Sequence, residues 1–183
     1  MITSSGGIFK DREVPASVVF QVNTNTRRVF GDASHANLPN GSSQGAYIIF
    51  VVGGERMCPI VWKSKKLDRV TKSPLASETM AVAEAADAGI YVKAAIDEMW
   101  KTDCKIEVYT DSDSLYKHIS TTNQIDDLRL RVDTARLREM VELHEIKLKW
   151  IPSKKQLADS LTKYNAPAAR LLSVMMTGVN KEE

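Results

Sequence analysis

Up to about residue 64, apolar and polar positions fall into short strand-like runs, and after that mostly into helical ones. RRVFGDAS (27–34) predicts a strand leading into Asp32, followed by the Pro/Asn/Gly/Ser loop HANLPNGSSQ. AYIIFVVGG (46–54) is a second strand rich in β-formers, and MCPIVWKS (57–64) follows as a third. The break at Gly53-Gly54-Glu55 reads as a hairpin, so these three strands are expected to run antiparallel. The pattern then changes. PLASETMAVAEAADAGIYVKAAIDEMW (74–100) is rich in alanine and strong helix formers, with Ser77 or Pro74 able to start it. Met80, Ala83, Asp87 or Ala88, Ile90, Tyr91 and Ala94 fall near helical spacing, and the alanines would permit a close approach to a sheet. On this reading Glu78 sits in the first turn, on or beside the buried face.

KIEVYTDSDSL (105–115) is the stretch on which the rest turns. Ile106, Val108 and Tyr109 predict a central strand that ends abruptly at Thr110-Asp111-Ser112-Asp113-Ser114. Such a strand delivers Asp111 at its carboxyl end, where open α/β sheets place their ligands. A short helix over Ser112–Ser120 and a longer one over Ile125–Leu143 follow, the latter with Leu128, Val132, Leu137, Met140 and Val141 to one side. EIKLKWIP (145–152) alternates as a strand, and KKQLADSLTK (154–163) resumes as a helix holding Asp159 in its first two turns. The tail APAARLLSVMMTGVNKEE carries one or two apolar helical turns. The order β-β-β-α-β-α-α-β-α predicts an α/β fold with a five-stranded mixed sheet, in which strands one, four and five are the parallel set.

Residues 1–26 mix Gly, Ser, Asn and Pro around one apolar run, Val18-Val19-Phe20, and read as a leader or the edge of an upstream region. One domain over 27–165 and a helical tail over 166–183 complete the expected organisation. A net charge of +2 gives no bulk pull on nucleic acid, so such affinity must come from where the basic residues sit. Cys58 and Cys104 lack CxxC or Cys/His spacing and are expected to be buried free thiols of a reducing compartment, while three scattered histidines argue against zinc. No signal peptide, membrane span, GxGxxG or Walker motif is visible, so the expectation is a soluble, intracellular chain with no small-molecule cofactor.

Four acids stand in similar local settings: Asp32, Glu78, Asp111 and Asp159. Two of them have an ordinary explanation. Asp111 or Asp113 could cap the following helix, and Glu78 could complement a helix N-terminus. The motifs GDAS, SQGAYIIF, VWKSKK, LASETMAVAEA, YTDSDSLY and QLADSLTK, in this order, change the balance. Together they resemble the ribonuclease H domain at the carboxyl end of copia-type LTR retrotransposon polyproteins, over residues from about Arg27 to Tyr164. The resemblance implies a ribonuclease H-like fold and makes Asp32, Glu78, Asp111 and Asp159 the metal-binding, catalytic carboxylates. It implies two Mg2+ ions, with Mn2+ also serving, and cleavage of the RNA strand of an RNA–DNA hybrid. The implied partners are that hybrid and the reverse transcriptase domain of the same polyprotein, with no membrane. The implied location is the cytoplasm, including virus-like particles.

The sequence departs from the pattern in three places. No histidine precedes the last acid in the short connection IPSKKQLAD, His35 stands where relatives often carry an aromatic residue, and LRLRVDTARLRE lacks nearby histidines.

The residue types suit phosphodiester hydrolysis. Two hard cations roughly 3.5–4 Å apart would activate a water and relieve charge on the leaving 3′-oxygen, and hard cations favour oxygen ligands. Candidate phosphate contacts are Lys63, Lys65, Lys66, Arg69 and Lys72, then Lys154 and Lys155, about half of them expected to be only solvated charge. Ser34, His35, Asn37 and Ser77 adjoin the acids and carry groups suited to a 2′-hydroxyl. Glu84, Asp87 and Asp113 are assigned to salt bridges and capping, and Met80, Met99, Trp100 and Trp150 to the core. Two other readings compete: an inert ribonuclease H-like connecting or nucleic-acid-binding domain, which would have no reason to keep four acids, and an integrase, whose Asp-Asp-Glu order differs.

Overall fold

Val29, Phe30, Ile48, Ile49, Phe50, Ile106 and Val108 are all nearly or fully buried, because the strands that carry them are covered on both faces. The computed structural model describes residues 26–121, 127–163 and 165–180, apart from the side chain of Arg129. The apolar run Val18-Val19-Phe20 and the expected start of a helix at Ile125 lie outside the described residues. Five strands, β1 (Thr26–Ser34), β2 (Gln44–Gly53), β3 (Arg56–Lys66), β4 (Lys105–Thr110) and β5 (Lys147–Trp150), form one sheet in the order β3-β2-β1-β4-β5. β1–β2 and β2–β3 pair antiparallel, whereas β1–β4 and β4–β5 pair parallel, as the element order predicts. Gly54, at φ +60°, makes the β2–β3 turn with a backbone that side chains rarely adopt. Pro59 cannot donate to a ladder, and the β2–β3 register shifts beside it on this edge strand.

Three helices cover one face: α1 (Pro74–Trp100), α2 (Asp113–Ser120) and α3 (Leu128–Glu142). Their core joins Val29, Ile49, Ile106 and Val108 to Val82, Ala85, Ala86, Leu115, Leu137 and Met140. On the other face, Phe30, Phe50 and Tyr109 pack with Leu157, Leu171 and Val174, the last two from α5 (Ala169–Thr177). The Phe30 and Tyr109 rings stack at 4.8 Å. The single turn α4 (Asp159–Thr162) lies between this second core and the edge of the sheet that bears the acids.

Several boundaries and faces differ from the expectation. Ser73 caps α1, its hydroxyl accepting from Ala76 N, and Pro74 is the first helical residue. The buried face of α1 runs through Val82, Ala83, Ala85, Ala86, Gly89 and Ile96; of the expected set Ala83 is buried and Ala88 and Ile90 pack against the core, while Asp87, Ala94 and Tyr91, the last 78% exposed, face solvent. On α3 the buried positions are Leu130, Thr134, Leu137 and Met140, while Leu128 and Val132 face solvent. Met99, Trp100 and Trp150 are exposed rather than core, being large residues at element ends. KKQLADSLTK is not one helix: Ser153–Lys155 is a 3-10 turn, and α4 begins only at Asp159. Both cysteines are free, but Cys58, on the edge strand, is only half-buried.

Candidate metal centre

Parallel pairing puts two acids at one level. Phe30 lies beside Tyr109 in the β1–β4 ladder, and two residues on from each stand Asp32 and Asp111. α1 crosses the same end of the sheet and brings Glu78. Carboxylate oxygens of Asp32, Glu78 and Asp111 all lie within 4.8 Å of one another. Asp32 is only 2% exposed. Burial first, and then the Asp111 and Asp159 charges, push its carboxyl up to about 7, against the opposing hydrogen bond from Thr162 and the charge of Lys163. Glu78 is pushed further, to about 9, by burial and then by Asp32 and Asp111, although the Ala33 N–H and Lys163 favour its ionised form. Glu78 Oε2 is buried with no hydrogen-bond partner among the described residues. Three converging hard oxygen donors, one with a buried oxygen that has no partner among the described residues, fit a divalent metal ion of the oxygen-seeking kind.

The ordinary explanations lose ground here. Glu78 is the fifth residue of α1, past the first turn, where helix-end electrostatics fade. The N-cap of α2 is Ser112, whose hydroxyl accepts from Leu115 N; Asp113 instead pairs with Lys117 at 2.6 Å. Asp111 is left with no capping role, and its backbone carbonyl is fixed by the Trp150 indole N–H at 3.2 Å.

Asp159 stands apart from the convergent three. It begins α4, and its carboxylate takes a hydrogen bond from Lys163 of the next turn. Four residues cannot hold a helix by propensity, so α4 is pinned from outside. Gln44 Nε2 and Ser64 Oγ donate to Leu161 O, at 3.1 and 2.6 Å, and Asn37 Nδ2 donates to Thr162 O at 2.9 Å. Gln156, buried, donates to Gly31 O at 2.9 Å, next to Asp32. The fully buried Thr162 donates its hydroxyl proton to Asp32 Oδ2.

The remaining predicted contacts divide. His35 and Ser77 meet, Nδ1 to Oγ at 2.9 Å, inside a hydroxyl cluster completed by Ser43 and Thr71. Ser34 is half-buried opposite Gln44, and Asn37 spends an amide proton on α4. Lys63 and Lys65 both pair with Glu84, at 3.0 and 3.2 Å, Arg69 pairs with Asp133, and Lys66, Lys72 and Lys154 are exposed. Lys155 is half-buried in the 3-10 turn. Thr162, Lys163 and Gln156 were not singled out by the sequence reading. For the first two a signal existed, since residues three and four along a helix share the face of Asp159.

Against known structures, the five-stranded mixed sheet and its helices find counterparts. The ribonuclease H1 of the halophilic archaeon Halobacterium salinarum is 20% identical, with a TM-score of 0.54 over 75% of this chain and 94% of that one. The fold is ribonuclease H-like. A compost-derived ribonuclease H1, solved in complex with an RNA/DNA hybrid, gives 14% and 0.56 over 74% of this chain and 93% of that one. The foamy viral protease-reverse transcriptase, also solved with an RNA/DNA hybrid, gives 15% and 0.53 over 88% of this chain and 22% of that one. No protein-family model and no curated protein matches the sequence. What these likenesses share with the ribonuclease H-like chain described here is the fold.

Proposed function

We propose that this chain is a metal-dependent endoribonuclease that hydrolyses the RNA strand of RNA–DNA hybrids. The observation that carries the reading is the convergence of Asp32, Glu78 and Asp111 from three separate segments toward the carboxyl ends of the central strands β1 and β4, with the charge of Asp159 acting on Asp32. Asp32, Glu78, Asp111 and Asp159 would hold two Mg2+ ions, or Mn2+ in their place. Bound there, the ions would supply an activated water and relief of charge at the leaving 3′-oxygen. The chain's own groups prepare that site. The Thr162 hydroxyl fixes one oxygen of Asp32, the Ala33 N–H orients Glu78, and the Trp150 indole holds the backbone that carries Asp111. Ser34, His35 and Asn37 lie beside the acids where an RNA 2′-hydroxyl would pass, whereas Ser77 is fully buried and spends its hydroxyl on the His35 cluster. Lys63, Lys65, Lys66, Lys154 and Lys155 are the proposed phosphate contacts, the first two sharing their charge with Glu84.

We further propose a copia-type retrotransposon origin, with residues 27–165 as the catalytic unit, acting in reverse transcription in the cytoplasm beside a reverse transcriptase domain. The support is the ordered set of motifs, now with Asp32, Glu78 and Asp111 brought together. The deciding experiment compares RNA–DNA, RNA–RNA and DNA–DNA duplexes of one sequence, with Mg2+ and with chelator. Cleavage of the RNA strand in the hybrid alone, and in Mg2+ alone, is expected. Cleavage that survives thorough chelation rejects the reading.

A further inference from the structure

The three convergent acids and Asp159 are held differently. Asp32, Glu78 and Asp111 lie together with no cationic side chain hydrogen-bonded to them among the described residues. Asp159 carries Lys163 on its carboxylate. The charge of that lysine acts on Asp32, Glu78 and Asp111 as well as on Asp159. An i,i+4 pair on an exposed helix would be incidental. Here the helix is one turn long, its carbonyls are tied to the sheet by Gln44, Ser64 and Asn37, and the side chain of Asp159 is only 25% exposed. The geometry therefore sets an ammonium at the mouth of an acidic centre, on the one acid of the four that does not converge.

We infer that Lys163 is a tethered counter-cation that holds Asp159 off the other three acids until a second divalent ion displaces it. The inference rests on the metal chemistry proposed above. Lys163 is a positioning residue in this scheme, acting through Asp159. A single positive charge on a four-carbon stem competes with a doubly charged ion for the same carboxylate, and the ion wins only above a set concentration. The first ion at Asp32, Glu78 and Asp111 needs no such displacement. Metal uptake should accordingly occur in two steps, the weaker one governed by Lys163.

The test is Mn2+ titration of the full chain without nucleic acid, by calorimetry and by the spin-resonance signal of free Mn2+, at fixed pH and ionic strength. Lys163→Met and Lys163→Gln should tighten the weaker step about two- to fivefold, the range spanned by the worth of a partly exposed ion pair. Lys163→Arg should leave it unchanged. In an Asp159→Asn background, Lys163→Met should no longer tighten the weaker step. Lys163 is half exposed, so both neutral variants should keep the fold, and circular dichroism checks that they do. An unchanged or weaker second step in both neutral variants, or a gain that persists without the Asp159 charge, overturns the role of Lys163 while leaving the nuclease reading intact. A wild-type chain that takes up no Mn2+ overturns both.

Discussion

At the scale of single residues, Asp111 and Asp113 stand two positions apart with opposite surroundings. Asp113 is exposed, opens α2 and pairs with Lys117; Asp111 looks toward two other carboxylates. Asparagine keeps the size and hydrogen-bonding capacity of aspartate but not the charge. Asp111→Asn should lower hybrid cleavage by about 10²-fold or more, the scale on which a single electrostatic stabiliser of a transition state acts. Its melting temperature in chelator should hold or rise, because one source of repulsion at the centre has gone. Asp113→Asn should leave cleavage near wild type, since only an exposed ion pair is lost. Rate in Mg2+ and melting temperature in chelator, measured on both variants, check this; near-wild-type cleavage by Asp111→Asn would remove Asp111 from the site.

At the scale of elements, α1 and β1 meet through small residues. A Cβ on Gly89 would come within 3.0 Å of Val29 Cγ2 and 3.4 Å of Ile106 Cγ2, and one on Gly31 within 3.0 Å of Ala85 Cβ. Both contacts set how closely α1 approaches β1, the strand that carries Asp32. Gly89→Val should destabilise the chain by about 1–3 kcal/mol through overpacking, with valine too poor a helix former to repay it. Urea unfolding reads the change, and an equally stable variant would mean that the α1–β1 spacing is not fixed by packing. The strands, their order and α1 were legible because apolar runs, the Gly53-Gly54 break and the alanine-rich stretch each have a local cause. Which face of α1 is buried was not. Alanine and glycine carry little hydropathy signal, so the larger Tyr91 drew the predicted face to one side, while Ala83 and Ile90 do meet the core. α4 was illegible for a related reason: its single turn is set by Gln44, Ser64 and Asn37 from elsewhere in the chain, and no local pattern encodes that. Among the acids, positions were legible from motifs, but the split between Asp159 and the other three depends on Lys163 and on tertiary placement.

At the scale of the whole molecule, the acidic centre makes stability depend on pH with a sign opposite to the usual carboxylate case. Asp32, at about 7, and Glu78, at about 9, keep protons in the folded chain that the unfolded chain has released above about 4. The folded state thus binds more protons, and stability falls as pH rises. This contribution is fully present below the ordinary carboxylate range, declines through 7 as Asp32 ionises and levels off above about 9 with Glu78. Asp97 works the other way: burial opposes its ionisation, but hydrogen bonds from Cys104, Lys93 and Thr102 bring it down to about 2. Its effect on the pH dependence is confined to pH below 5, because above that Asp97 is ionised whether the chain is folded or not. The window from pH 5 to 8 therefore isolates Asp32 and Glu78. In chelator the melting temperature should fall across it by several degrees, each kcal/mol being worth about 2–4 °C for a chain of this size. Mg2+ should flatten or reverse the trend, since a bound cation favours the ionised carboxylates and stabilises the folded chain by mass action. Asp32→Asn combined with Glu78→Gln should remove the dependence in chelator and the response to Mg2+ together. A slope that persists in that double variant would place its origin outside the acidic centre.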